Sequence, residues 1–160
     1  MVQLHFEQTA IGRIGIAAEN GSITHLYFET DSPPADAELC ATPLLKEAFS
    51  QLHAWLAGER TEFSLPLAPA GTAFMRRAWQ ELCRIPYGRT ASYREIAAAV
   101  GIPKGARAAG MACNRNPVPI FIPCHRVIGA NGRLTGYDGG LELKEKLLAL
   151  ERNGCLPAKR

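Results

Sequence analysis

The hydrophobic pattern of residues 2–29 has the two-residue period of β-strands. Apolar and polar residues alternate over residues 2–6, and short apolar stretches return over residues 12–18 and 23–29. Asn20 and Gly21 lie between the last two stretches, and this dipeptide favours the tight turn of a hairpin. The pattern therefore predicts three strands in a small antiparallel sheet.

The period then changes to that of a helix. Thr42 and Pro43 favour a helix start, and Gly58 favours its end. Between them, apolar residues recur at the spacing of one helical face, at Leu45, Phe49, Leu52 and Leu56. Two prolines and a glycine in residues 66–71 then interrupt the periodicity, and we place a domain boundary there.

The second half of the chain has helical periodicity. Thr72 can cap a helix whose apolar face carries Phe74, Ala78, Leu82 and Ile85. We therefore predict an α/β fold of the α+β type with two domains. Residues 1–70 form the antiparallel sheet with one helix, and residues 71–160 form a helical domain of the winged helix-turn-helix type.

The helix-turn-helix prediction is based on two short helices joined by a tight turn. Ser92 and Glu95 have the spacing of a capping box for the first helix, and Gly101 favours its end. We expect Pro103 in the first turn of the second helix, over residues 104–113. This pattern alone is common, so it indicates a nucleic-acid-binding motif only weakly.

Charge separates the same two halves. Residues 1–70 hold three basic and nine acidic side chains, a balance of −6, whereas residues 71–160 hold fifteen basic and six acidic side chains, a balance of +9. Such asymmetry indicates that the second half meets a polyanion such as DNA. The alternative is one fold with two differently charged surfaces.

The five cysteines are scattered, and no two of them have the C-x-x-C spacing. This arrangement argues against both a disulfide framework and a structural zinc site. The amino terminus has neither the charged start nor the apolar core of a signal peptide, and no long apolar run indicates a membrane segment. We therefore expect a cytoplasmic protein that does not bind membranes.

The hexapeptide PCHRVI at residues 123–128 is the strongest chemical signal in the chain. It follows the apolar run 118–122, so an ionisable pair, Cys124 and His125, lies where a buried strand or loop ends. A thiol attacks as its thiolate, and a histidine can take its proton. The alternative is a buried structural cysteine beside a surface histidine.

The surrounding residues extend this pattern into a longer motif. NPVPIFIPCHRVIG occupies residues 116–129, with IPYG upstream at residues 85–88 and LTGYDGG downstream at residues 134–140. This motif resembles the active-site region of the O6-alkylguanine-DNA alkyltransferases, over about residues 71–151. The resemblance implies a monomeric DNA-repair protein that takes an alkyl group from O6 of guanine in double-stranded DNA. It leaves O4-alkylthymine open as a second substrate.

The resemblance also implies roles for individual residues. Cys124 accepts the alkyl group once and irreversibly, without cofactor or metal, and His125 deprotonates it through a water. The further residues assigned to catalysis are Glu151, which orients His125, with Asn116, Lys144 and Tyr93. The residues assigned to DNA binding are Tyr93, Arg94, Arg107 and Arg115. The residues assigned to the substrate pocket are Pro119, Tyr137, Asp138 and Gly139.

The helix predicted over residues 104–113 is rich in glycine and alanine, and Arg107 is the one long polar side chain in its middle. Small residues either pack tightly against a neighbouring helix or let the helix approach the narrow minor groove. The resemblance implies the second arrangement, with Arg107 occupying the space that an extruded guanine leaves. Base extrusion is needed because the O6 substituent cannot be reached inside a duplex.

Two pocket residues carry further expectations. Gly139, followed by a second glycine, is expected to leave the pocket wall open for groups as large as benzyl. Relatives often have a small neutral residue where this chain has Asp138, and we expect its carboxylate to point to solvent.

Three other classes of protein share parts of this pattern. Zinc-dependent deaminases need H-x-E and P-C-x-x-C, whereas His125, Arg126 and Val127 follow Cys124 here. A cysteine hydrolase needs an oxyanion hole and a water route, and sequence reveals neither. Alkyltransferase-like proteins bind damaged bases without repairing them, but they carry tryptophan at the position of Cys124. This binding-module alternative is the closest rival.

Overall fold

A computed structural model describes residues 1–158. Its strands are β1 (Gln3–Thr9), β2 (Gly12–Glu19), β3 (Ser22–Tyr27), β4 (Glu38–Leu39), β5 (Ala91–Ser92) and β6 (Val127–Ile128). Its α-helices are α1 (Pro43–Leu56), α2 (Ala73–Leu82), α3 (Tyr93–Ala99), α4 (Ala106–Asn114) and α5 (Leu141–Asn153). Each of these helices is too short or too polar to cross a bilayer. The predicted α+β fold class is confirmed.

The first half is a four-stranded sheet in the order β3-β2-β1-β4, covered by α1. The predicted hairpin turn is present: Asn20 has φ +54° and Gly21 has φ +79°, values that suit a tight reversal. Strands β1 to β3 are antiparallel, but β4 pairs with β1 in parallel, so the sheet is mixed. Sequence periodicity missed β4 because two residues are too few to show a period.

Helix α1 covers the sheet because its apolar face is continuous. The hydroxyl of Thr42 accepts a hydrogen bond from the Leu45 amide and caps the helix, as its sequence predicts. Leu45, Leu52 and Trp55 are fully buried and face the apolar side chains of β2 such as Ile16. Each side chain of this kind contributes roughly 1.5–3 kcal/mol through its burial.

The second half consists of α2 to α5 around the loop that carries Cys124. Two predicted boundaries are wrong. Helix α2 ends at Leu82, because the amide of Ile85 bonds to the Leu82 carbonyl at 3.1 Å and tightens the chain into a turn. Pro103 precedes α4 instead of lying in its first turn, because the Gly105 amide bonds to the Ile102 carbonyl at 2.7 Å and closes a separate turn.

Candidate active site

The loop before Cys124 is buried, and it is not a strand. The side chain of Asn116 holds it together: its Nδ2 donates to the Ile122 carbonyl at 2.9 Å, and its Oδ1 accepts from the Val118 amide at 3.0 Å. A single turn of 3-10 helix then begins at Cys124. Asn116 thus connects the end of α4 to the chain immediately before the thiol.

The same loop contains a strained residue. Ile120 has φ +74°, a conformation that β-branched residues rarely adopt, and it is 1% exposed. Such a conformation costs on the order of 1–3 kcal/mol, so the surrounding packing must enforce it. The buried neighbours Pro119 and Phe121 flank this position. The reversal at Ile120 therefore fixes the path of the chain into Cys124.

The thiol of Cys124 is protected from solvent. The residue is 5% exposed, and burial raises the pKa of its thiol to about 11. The amide of Asn116 and the ammonium of Lys144 lower this pKa, whereas the carboxylate of Asp138 raises it. Because the thiol form dominates at neutral pH, Cys124 needs a base at the moment of attack.

His125 is positioned to be that base. Its Nε2 lies 2.8 Å from Oε2 of Glu151, and both side chains are almost completely buried. Because Nε2 faces a carboxylate, it carries the ring proton, which leaves Nδ1 as an acceptor. Nδ1 is buried and has no partner among residues 1–158, and burial lowers the pKa of the imidazole. The ring is therefore neutral, and its Nδ1 can accept a proton.

Arg126 completes this group, and the sequence interpretation gave it no role. Its Nε lies 2.9 and 3.0 Å from the two oxygens of Glu151, and its Nη2 lies 2.7 Å from Oε2. Its Nη1 donates to the Ile85 carbonyl at 2.7 Å, so the guanidinium is buried and paired. Its position inside PCHRV, directly after a buried apolar run, could have indicated that this arginine is buried. A buried arginine is almost always paired with an acidic group.

Glu151 receives more hydrogen bonds than one histidine could supply. Besides those from His125 and Arg126, its Oε1 accepts from the Gly88 amide at 3.2 Å. Burial raises the pKa of this carboxyl, but the bonds from His125 and Arg126 outweigh burial and lower it to about 2. Glu151 is therefore a fixed anion that holds the imidazole in one orientation.

Lys144 forms the other side of the thiol's surroundings. It is 1% exposed, its Nζ donates to the Thr135 carbonyl at 3.3 Å, and Nζ lies 5.9 Å from the centre of the Tyr93 ring. Burial lowers the pKa of its ammonium, while the thiols of Cys124 and Cys113 act in the opposite direction. The hydroxyl of Tyr93 is hydrogen-bonded to that of Thr135. Sequence reasoning identified neither Cys113 nor Thr135.

Tyr137 lies where the first half of the chain contacts the site. Its hydroxyl is buried without a hydrogen-bond partner among the residues described, and its ring centre is 5.8 Å from that of Phe28. The two glycines expected to leave the pocket wall open differ in their surroundings, since a Cβ at Gly140 would meet nothing within 4 Å. A Cβ at Gly139 would lie 2.5 Å from Leu143 and 3.4 Å from Phe28, because both side chains pack against the glycine.

Asp138 is exposed, as expected, and its carboxyl lies close to that of Asp31. Burial of its carboxyl and the nearby carboxyl of Asp31 both raise its pKa. Asp31 in turn accepts a hydrogen bond from the Phe28 amide at 2.8 Å. The first half of the chain thus places a carboxylate beside the loop that carries Tyr137.

The arginines assigned to DNA binding lie outside this buried group. Arg94 is exposed in the first turn of α3, Arg107 is exposed on α4, and Arg115 is exposed just after α4. Within residues 1–158, no group of three or more histidine, cysteine or acidic side chains could hold a metal ion. The site therefore combines a shielded nucleophile, a neutral base with a fixed anion, and a nearby cation.

Comparison with protein families covers both halves of the chain. The DNA-binding domain of 6-O-methylguanine DNA methyltransferase matches residues 73–153. The ribonuclease-like domain of 6-O-methylguanine DNA methyltransferase matches residues 4–69.

Similar proteins carry the corresponding name. A methylated-DNA–protein-cysteine methyltransferase of Methanosarcina acetivorans is 57% identical, with 90% of this chain and 94% of that protein covered. The constitutive enzyme of that name from Bacillus subtilis is 49% identical, with coverage of 91% and 92%. The crystal structure of Mycobacterium tuberculosis OGT in complex with DNA matches with a TM-score of 0.90 and 41% identity, covering 96% of this chain and 95% of that one.

Proposed function

Because this chain belongs to the 6-O-methylguanine DNA methyltransferase family, we propose that it repairs O6-alkylguanine in DNA by transferring the alkyl group directly to Cys124. The observation that supports Cys124 as the acceptor is the group of buried ionisable side chains around it. Cys124 is followed by His125, whose imidazole is bonded to Glu151, while Lys144 lies on the other side. This group supplies a nucleophile, a base and a countercharge.

The reaction begins with binding of the lesion. Arg94, Arg107 and Arg115 are exposed on or beside the helix-turn-helix and can contact DNA. Because Cys124 is 5% exposed, the modified base must leave the duplex and enter the pocket to reach it. Arg107 fills the space left in the stack, and Tyr93 helps to turn the nucleotide out.

Deprotonation of the thiol follows. No hydrogen bond joins Cys124 to His125 within residues 1–158, so the proton passes to Nδ1 of His125 through a water. Glu151 stabilises the imidazolium that forms, and Arg126 holds Glu151 in place. The ammonium of Lys144 offsets the charge of the thiolate.

The thiolate then attacks the alkyl carbon. A carbon–sulfur bond forms, the carbon–oxygen bond breaks, and its electron pair moves to O6 of guanine. The hydroxyl of Tyr137, which has no partner within residues 1–158, can donate a hydrogen bond to the oxygen as this charge develops. Guanine regains a proton, which balances the one lost by the thiol. A thioether remains on Cys124, and since a thioether is a poor leaving group, each molecule acts once.

The rival interpretation is a protein that binds damaged bases without repairing them. Cys124 separates the two, because such proteins lack the nucleophile. The relatives named as methyltransferases match this chain over nearly its whole length, which also favours transfer. We place the division between domains at residues 1–70 and 71–160, and we infer a cytoplasmic monomer that needs no cofactor.

The deciding experiment is mass spectrometry after incubation with a duplex containing O6-methylguanine. The peptide with Cys124 should gain one methyl group, and repaired guanine should reach a plateau at one equivalent per protein. Cys124→Ser should transfer nothing while still binding the duplex. Continued turnover past one equivalent, or a methyl group on another residue, would contradict the proposal.

A further inference from the structure

The solvent-exposed face of α4 carries an apolar side chain close to two arginines. The exposed residues of this face recur at helical spacing, and they are Arg107, Met111, Asn114 and Arg115. Met111 is 49% exposed and lies one helical turn after Arg107. Single exposed apolar residues are common on protein surfaces, so exposure alone assigns Met111 no function.

The space beside Met111 is unusual. An apolar cavity of about 440 Å³ opens there, between Phe74 and Met75 of α2 and Ala108 and Ala112 of α4. A methionine has three rotatable bonds and adapts its shape readily. Met111 can therefore lie back toward this cavity or extend from the helix without displacing the core.

The chemistry of this face fits the minor groove of duplex DNA. The inner walls of that groove are largely the carbon–hydrogen surfaces of deoxyribose, and its rims are lines of phosphates. Cationic Arg107 on α4 and Arg115 just after it lie on either side of apolar Met111 along the chain. Proteins that open the minor groove frequently insert an apolar side chain such as methionine at a base step.

We propose that Met111 is an apolar wedge that enters the minor groove beside the extruded nucleotide and helps to unstack it. This inference rests on the proposed function, since it assumes that α4 faces DNA. Arg107 then occupies the position of the missing base, while Met111 contacts the sugars of the neighbouring step. Arg107 and Met111, one helical turn apart, would thus act together to open the duplex.

The test compares three variants in binding to an undamaged duplex with 2-aminopurine beside the central base pair. Met111→Gln keeps the length of the side chain but adds a polar amide, and Met111→Leu keeps it apolar. Leu39→Gln is the matched control, because Leu39 is 72% exposed on β4 in the first domain. Anisotropy gives affinity, 2-aminopurine fluorescence gives unstacking, and thermal midpoints check folding.

Met111→Gln should weaken binding about five- to tenfold and reduce the fluorescence gain. Met111→Leu and Leu39→Gln should stay within about twofold of wild type. Equal affinity and fluorescence for Met111→Gln and wild type would overturn the wedge, and so would equal losses for Gln and Leu. If Cys124 of the wild type is methylated by damaged DNA but Met111→Gln binds DNA as well as wild type does, the proposed role of Met111 is contradicted and the proposed function is not. If wild type binds no duplex, both proposals fail.

Discussion

Each half of the molecule contains a histidine bonded to a glutamate, and the two pairs have almost the same length. His53 Nε2 lies 2.9 Å from Glu7 in the first half, and His125 Nε2 lies 2.8 Å from Glu151 in the second. The side chains of the first pair are 42% and 33% exposed, whereas those of the second are 0% and 1% exposed. The distance between the atoms therefore does not distinguish a surface pair from a candidate catalytic pair.

Burial changes the physics of the second pair. Water screens the pair at Glu7, so its contribution to stability is roughly 0–1 kcal/mol. At Glu151 water is excluded, and an unpaired carboxylate there would carry a large desolvation penalty. Arg126 offsets this penalty by pairing a cation with the carboxylate and donating three hydrogen bonds to it. The comparison teaches that the buried pair works as part of a larger group.

The largest expected effect comes from neutralising each glutamate in turn. Glu151→Gln should lower the free energy of unfolding by about 3 kcal/mol, because it leaves Arg126 buried without its counter-ion. It should also slow methyl transfer at least about a hundredfold, since the imidazolium loses its anion. Urea unfolding and single-turnover kinetics measure the two quantities.

Glu7→Gln is the matched control for that experiment. It should change the free energy of unfolding by less than about 1 kcal/mol and leave transfer at the wild-type rate. DNA affinity should stay within a few fold in both variants. Similar losses of stability in the two variants would show that burial does not separate the pairs.

A second prediction concerns the unfolding free energy at acid pH. Glu151 has a pKa near 4.5 when unfolded and about 2 when folded, so its contribution is complete above pH 4.5 and disappears as pH falls toward 2. This shift corresponds to about 3 kcal/mol. The lowered pKa of His125 acts in the same direction, from about pH 6.5 downward. Wild type and Glu151→Gln should therefore converge in stability between pH 4.5 and 2 in urea titrations; a constant difference would contradict this linkage.

A third prediction separates charge from geometry in the same buried group. Arg126→Lys keeps the positive charge but cannot bind both carboxylate oxygens and the Ile85 carbonyl together. We expect a loss of about 2 kcal/mol in unfolding free energy and about tenfold in transfer rate.

The control for Arg126→Lys is Arg84→Lys. Arg84 lies 3.3 Å from Glu81, and its side chain is 78% exposed. This change should cost less than about 0.5 kcal/mol in unfolding free energy. Equal losses of unfolding free energy in Arg126→Lys and Arg84→Lys would show that the contact of the Arg126 guanidinium with both oxygens of Glu151 does not contribute to stability.

The smallest expected effect is at Asp138. Its carboxylate raises the pKa of the Cys124 thiol. Asp138→Asn should therefore speed methyl transfer by about two- to threefold, with the larger gain at low ionic strength. Single-turnover rates at two salt concentrations test this, and a slower variant would mean that the Asp138 side chain supports the loop instead.

Local signals explain what the sequence predicted well. The hydroxyl of Thr42 caps α1, and Ser92 with Glu95 forms both hydrogen bonds of the predicted capping box. These residues interact across three positions, so their spacing is visible in the chain itself. The period of the strands and helices is likewise local, which is why the fold class was predictable.

Contacts between distant residues could not be found in this way. Arg126 and Glu151 are separated by 25 positions, and Asp31 approaches Asp138 from the other half of the chain. The proximity of His125 and Glu151 was implied by resemblance and by no periodicity. The close packing at Gly139 comes from Leu143 in α5 and from Phe28 in the first half of the chain. The contacts of Asp138 and of Gly139 with Phe28 follow from how the two halves pack together, whereas those of Glu151 follow from packing within the second half.

The burial of Cys124 has a last consequence, for the protein after repair. The thiol lies in a closely packed interior, 5% exposed and next to the strained loop at Ile120. A methyl or larger group on sulfur adds volume to this interior, and overpacking of a core typically costs about 1–3 kcal/mol. We therefore expect the alkylated protein to be less stable than the unmodified one. A protein that unfolds more readily is more open to proteolysis, so we expect repair to shorten the lifetime of the molecule that performs it.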